Sequence, residues 1–143
     1  MKGVILAGGL GTRLYPFTKV INKHLMNIAG KPMIQYPIET LKRADIKDII
    51  IVTNPRHIKQ FKKIIDEKEI GVNITYQGQE KATGIADALH KAKDLVGNEK
   101  MVVVLGDNIL MDDIGGFIED FKREGGGKGP GYRSARSREV WRC

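Results

Sequence analysis

Short runs of consecutive apolar residues alternate with segments in which apolar positions recur every three or four residues. The runs Lys2 to Ala7, Asp48 to Thr53, Val72 to Tyr76 and Met101 to Leu105 are rich in Val and Ile. Continuous rather than alternating apolarity marks strands covered on both faces, as in a parallel sheet. Between them, Met33 to Asp45 sets Ile34, Ile38 and Leu41 on one stripe, and Pro55 to Glu67 does so with Ile58, Phe61, Ile64 and Ile65. Gly84 to Val96 repeats the pattern with Ile85, Leu89, Ala92 and Val96. These predict amphipathic crossover helices. A last helix is predicted from about Asp112 to Glu124, with acids at its start, Ile114, Phe117, Ile118 and Phe121 inside, and Lys122 and Arg123 at its end, each sign suited to the helix dipole. The order βαβαβαβα predicts an α/β fold with a mostly parallel sheet and helices on both faces. Ligands of such folds bind outside the carboxyl ends of the strands.

Composition narrows the classes. With 143 residues and 41% apolar content the chain can build one domain with an ordinary core. A single thiol, Cys143, excludes an internal disulfide framework and a cysteine-based zinc site, and fits a reducing compartment. The apolar start is too short for a secretory signal and no run approaches ~18 apolar residues, so a soluble, cytoplasmic protein with no membrane partner is expected. The formal net charge is +7, but Lys128, Arg133, Arg136, Arg138 and Arg142 against Glu139 concentrate the excess after Gly125. Residues 1–124 hold 19 basic and 16 acidic side chains. A nearly neutral body lacks the basic folded face that nucleic acid requires, so no nucleic-acid partner is expected. Residues 125–143 carry five glycines and no traceable period, and read as a basic Gly/Arg-rich tail.

The most informative stretch follows the first strand, from Leu6 through Gly8, Gly9, Gly11, Thr12 and Arg13 to Leu14. It is neither a Walker A loop nor a G-x-G-x-x-G turn. Its glycines still let backbone N–H groups crowd around an anion, and Arg13 adds a planar fork of donors for phosphoryl oxygens. A tight strand-to-helix turn with a solvated Arg is the competing reading. Asp107 ends the fourth strand in Leu105-Gly106-Asp107-Asn108, where a divalent ion bridged to phosphates would be held, although Gly-Asp-Asn is equally good turn chemistry. Gln79 and Gly84 flank the loop after the third strand. A side-chain amide there matches the edge of a uracil or thymine ring, and a glycine leaves room for the base. Lys19 and Lys31 read as solvated surface lysines, and His24, His57 and His90 share no metal spacing and read as structural or solvated.

Taken together, Gly3 to Gly9, Gly11-Thr12-Arg13-Leu14-Tyr15-Pro16, Thr18-Lys19, Lys23, Lys31-Pro32-Met33-Ile34, Tyr36-Pro37 and Leu105 to Asn108 resemble the sugar-1-phosphate nucleotidyltransferases, most closely the glucose-1-phosphate thymidylyltransferases. The resemblance covers about residues 1–124. It implies a Rossmann-like three-layer sandwich of nucleotidyltransferase type, truncated, that binds dTTP (or UTP) and a sugar 1-phosphate. Catalytic roles fall to Arg13 and Lys23, with Lys23 on phosphate at the reacting centre. Nucleotide binding falls to Leu6, Gly8, Gly9, Gly11, Thr12, Arg13, Gln79 and Gly84, and Asp107 becomes a Mg²⁺ ligand. The implied reaction is in-line attack of a glucose-1-phosphate oxygen on the α-phosphorus, with pyrophosphate leaving. Full-length relatives form homo-oligomers, which the resemblance extends to this chain as an option. One departure is Asn27, where the family usually has proline.

The family's catalytic domain is roughly twice as long, and its later half supplies the sugar-phosphate clamp and a second metal-binding Asp. Shifting the reading frame within 126–130 permits Gly-Ala-Lys-Val-Leu, and within 139–143 it permits Lys/Arg, Tyr/Phe, Gly and Val, both similar to the family. Residues after about Gly125 are therefore expected to be a frameshifted reading of a longer gene. The chain should bind dTTP with Mg²⁺ while turning over slightly or not at all. A non-catalytic nucleotide-binding module and a nucleic-acid binder acting through the arginine tail are the alternatives.

Overall fold

The computed structural model describes residues 1–9, 11–16, 21–110 and 112–123, with the backbone alone at Arg13. Thr18, Lys19, Glu124 and the tail 125–143, with its proposed frame change, lie outside the described residues. Strands β1 (Lys2–Leu6), β4 (Asp48–Thr53), β5 (Asn73–Gly78) and β6 (Met101–Leu105) form one parallel sheet in the order β5-β4-β1-β6. Two-residue strands β2 (Asn27–Ile28) and β3 (Lys31–Pro32) form a separate antiparallel hairpin. The helices are α1 (Gln35–Arg43), α2 (Pro55–Ile64), α3 (Glu67–Ile70), α4 (Ile85–Val96) and α5 (Gly115–Arg123).

The unbroken apolar runs are explained by burial on both sides. Ile5, Ile49, Ile51, Val102 and Val104 pack with Ile34, Ile38 and Leu41, with Phe61 of α2 and with Ile118 of α5. The alternate positions Val4, Leu6, Ile50, Val52 and Val103 pack on Ala88, Ala92 and Val96 of α4. Successive strand residues point to opposite faces, so a strand between two helical layers needs apolar residues at every position. The result is the expected three-layer α/β sandwich.

Several boundaries differ from the expected ones, among them α1, which runs Gln35–Arg43 rather than over 33–45. The third strand runs to Gly78 rather than Tyr76, because Gln77 and Gly78 continue the parallel pairing with Val52 and Thr53. The helix expected over 55–67 is two helices. Ile65 turns extended at φ −92°, ψ 114°, yet stays buried, and the Asp66 carboxylate accepts from the N–H groups of Lys68 and Glu69 to start α3. The last helix begins at Gly115 instead of Asp112, with the Asp113 carboxylate accepting from the Gly115 N–H.

The hairpin was not foreseen. Ala29 and Gly30, both at positive φ (49° and 91°), make its two-residue turn. Tyr36 donates its hydroxyl to the Ile28 carbonyl at 2.7 Å, while the Met33 and Ile34 N–H groups bond Met26 and His24 carbonyls at 2.9 and 2.8 Å. These bonds stitch the 3-10 turn Lys23–Leu25 to the start of α1. Asn27, the departure from the family pattern, opens β2 and pairs with Pro32. Lys31 is not simply solvated: it bonds Glu39 and lies 4.3 Å from the Tyr36 ring centre.

Candidate active site

The site follows from strand order. β1 has β4 on one side and β6 on the other, so the direction in which successive strands are added reverses there, and in sheets of this kind ligands bind outside the carboxyl ends of the strands at that point. The ladder continues past the strands. The Ala7 N–H donates to the Val52 carbonyl (2.7 Å), Gly106 N–H to Leu6 (2.9 Å) and Gln79 N–H to Thr53 (2.8 Å). Thr53 closes the row by donating its hydroxyl to the Ala7 carbonyl at 3.0 Å. Gln79, Thr53, Ala7 and Gly106 therefore stand side by side along the carboxyl edge.

Around this row the structure brings together most of the expected residues. A Cβ built on Gly8 would lie 2.6 Å from Gln79 Oε1, and one on Gly9 would lie 3.4 Å from Lys23 Cε. Lys23 Nζ bonds Asp107 Oδ2 at 2.6 Å. Gln79 is buried, and Gly84 accepts from its Nε2 at 3.2 Å. Gly84 sits at φ 112°, a conformation that needs glycine, with open space where a side chain would be. Gly11, left-handed at φ 62°, starts the 3-10 turn Thr12–Leu14, on which Thr12 is exposed. Leu6 enters differently, with its side chain in the α4-facing core and its carbonyl bonded to Gly106.

Electrostatics favour charge at Asp107. Partial burial raises its pKa, but the hydrogen bond and charge of Lys23, with smaller help from His24, outweigh that and hold the carboxyl below its ordinary value. Asp107 is thus a carboxylate already facing a cation. Among the described residues no group of three or more His, Cys, Asp or Glu is gathered for a metal. A single hard oxygen donor of this kind suits an ion whose other ligands are phosphate oxygens and water.

His24 and Asn22 belong to the site's support and were not picked out as functional from the sequence. The His24 N–H and Nδ1 both lie on Asn22 Oδ1, at 3.0 and 2.8 Å. The ring is buried under Gly106, whose built Cβ would lie 2.8 Å from Cδ2. Burial, then the charges of Lys23 and His57, lower the His24 pKa to about 4 against the opposing pull of Asp107. The unfolded chain therefore takes up a proton at His24 between pH 6.5 and about 4 while the folded chain does not, so stability falls as pH falls through that window. Wild type is expected to lose about 1.5 kcal/mol more than His24→Gln between pH 6.5 and about 5, read from urea midpoints. Equal losses in the two proteins would show that His24 protonates as freely folded as unfolded.

Asp87 and Thr83 were also missed. Gln79 Nε2 donates to Asp87 Oδ2 at 2.8 Å, and the Thr83 hydroxyl donates to the same oxygen at 2.6 Å. The available signal was the spacing: Thr83 lies four residues before an acid in the first turn of α4.

The sequence profile of the nucleotidyl transferase family matches residues 2–129. The chain belongs to that family. Among curated relatives, a glucose-1-phosphate thymidylyltransferase from Neisseria meningitidis is 44% identical over 111 residues, covering 77% of this chain and 38% of the relative. One from Mycobacterium tuberculosis is 41% identical over 129 residues, covering 89% and 45%. A Bacillus anthracis crystal structure assigned as a glucose-1-phosphate thymidylyltransferase superposes with TM-score 0.83 at 49% identity, over 89% of this chain and 52% of that one. A UDP-glucose pyrophosphorylase from Acinetobacter baumanii gives 0.73 at 26%, over 87% and 53%. This nucleotidyl transferase chain spans less than half the length of those two curated relatives. The residues of the site, from Leu6 to Asp107, lie within the matched span 2–129. Nucleotidyl transferases of this family generally depend on a divalent metal. No helix among the described residues is long and apolar enough to cross a membrane.

Proposed function

We propose that the chain is the nucleotide-holding part of an enzyme that joins dTTP to glucose 1-phosphate, giving dTDP-glucose and pyrophosphate. One observation carries this reading: Lys23 lies against Gly9 while bonding Asp107 at 2.6 Å, where two neighbouring strands end. That sets the glycine backbone beside one cation and one carboxylate. Backbone N–H groups of Gly8, Gly9 and Gly11, with Thr12, hold the triphosphate. Arg13 and Lys23 offset negative charge at the α-phosphorus, and Gln79 with Gly84 receives the thymine. Asp107 would hold Mg²⁺, which when bound supplies charge neutralisation to the phosphates.

In the reaction an oxygen of glucose 1-phosphate attacks the α-phosphorus in line, and the bond from that phosphorus to the oxygen bridging to the β-phosphate breaks. The attacking oxygen is already ionised, so no general base is needed. The chain's work is positioning and charge stabilisation. The phosphorylated substrates, which do not cross membranes unaided, support a cytoplasmic setting.

Calorimetry with dTTP and Mg²⁺ is expected to give saturable binding, with little pyrophosphate released on adding glucose 1-phosphate. Asp107→Asn should weaken dTTP about tenfold with Mg²⁺ present and little in its absence. Equal affinity of the two proteins in Mg²⁺ would remove Asp107 from the metal role. UTP is a second reading, favoured by the 26%-identical UDP-glucose pyrophosphorylase and by the edge that thymine and uracil share. Parallel titrations with the two nucleotides separate them.

A further inference from the structure

We propose that Asp87 sets base preference by holding the Gln79 amide one way round, so that Gln79 meets the base only as a hydrogen-bond acceptor. The inference rests on the reading of Gln79 as the base-recognising residue.

An amide can present either its oxygen or its NH₂ to a ligand, and flipping it reverses what it reads. Here the flip is blocked by chemistry. Nε2 donates to Asp87 Oδ2 at 2.8 Å and to the Gly84 carbonyl at 3.2 Å. Both are acceptors, so turning the amide over would face its oxygen against two oxygens. Thr83 also donates to Asp87 Oδ2 at 2.6 Å, fixing the carboxylate in place. Those two hydrogen bonds, Thr83's first, hold the Asp87 carboxyl below its ordinary value, so near neutrality it cannot become a donor. With the NH₂ spent, Oε1 is left over the Gly8 backbone, at 2.6 Å from where a Cβ would stand, and no donor among the described residues bonds it. An acceptor at the mouth of the glycine loop selects a ring nitrogen that carries hydrogen. Thymine and uracil supply N3–H. In the same placement cytosine turns a lone pair toward Oε1, and acceptor against acceptor repels. Asp87 acts through Gln79 and is a positioning residue.

The test titrates the full chain with dTTP and with dCTP, each with Mg²⁺, in wild type, Asp87→Ala, Asp87→Asn and Gln79→Ala. Alanine suits the first turn of α4, and urea midpoints check that each variant is folded. In Asp87→Ala the dTTP to dCTP preference is expected to shrink about tenfold, chiefly through weaker dTTP, as the amide becomes free to turn. Asp87→Asn, whose side-chain oxygen can still accept from Nε2, should retain more of the preference than Asp87→Ala. Equal weakening of both nucleotides in Asp87→Ala, or no change in either, overturns the proposal. If Gln79→Ala keeps the wild-type preference, the reading of Gln79 has failed and the role of Asp87 falls with it. Absence of dTTP binding by wild type would overturn both at once.

Discussion

Phe61→Ala is expected to lower the free energy of unfolding by about 3–5 kcal/mol. Phe61 is fully buried, and its ring centre lies 6.4 Å from that of Tyr76 at 51°. It joins α2 to the sheet face that also receives α1 and α5. Removing the ring leaves a cavity between layers that are each held by their own strand and helix hydrogen bonds and cannot simply close over it. Domains of this size are stable by only about 5–15 kcal/mol, so the variant should be marginal. Urea midpoints read the loss, and a change under about 1 kcal/mol would mean that this face repacks freely.

Gly106→Ala should harm both fold and site. The added Cβ would stand 2.8 Å from His24 Cδ2 and 3.1 Å from the Leu6 carbonyl oxygen. Neither neighbour can yield easily. The His24 ring is buried and bonded to Asn22, and the Leu6 carbonyl accepts from Gly106 itself. Overpacking of this kind costs about 2–3 kcal/mol. The strain is also expected to displace Lys23 and Asp107, since His24 follows Lys23 and Asp107 follows Gly106. Denaturation and dTTP·Mg²⁺ titration measure the two effects. A variant with wild-type stability and affinity would show that the contact under Asp107 is slack.

Much of the layer architecture was written in the local pattern. β4 and β6 occupy the expected residues because a two-faced strand must be apolar at successive positions, which few other structures require. The α2 and α3 break was harder to read. Ile65 falls on the apolar stripe of the expected helix and is buried in the extended conformation it adopts, so its apolarity gave no hint, and the Asp66 cap marks the break. The β2–β3 hairpin has two residues per strand, too short for any periodicity. Lys31 reads as solvated from its neighbours in sequence, and its pairing with Glu39 depends on the turn that the hairpin makes.

Residue types alone determined that this protein is a layered α/β domain with a glycine-rich turn after its first strand and an aspartate after its last. They supplied those features because burial and turn chemistry act over a few neighbouring positions. Tertiary structure decided what those groups face. Lys23 and Asp107 are separated by 84 positions and meet because β6 pairs beside β1. Gln79 reaches Gly8 across β4, and Asp87 fixes the direction of its amide. Such contacts depend on strand order and on hydrogen bonds to α4, which emerge only when the sheet assembles and its helices close over both faces.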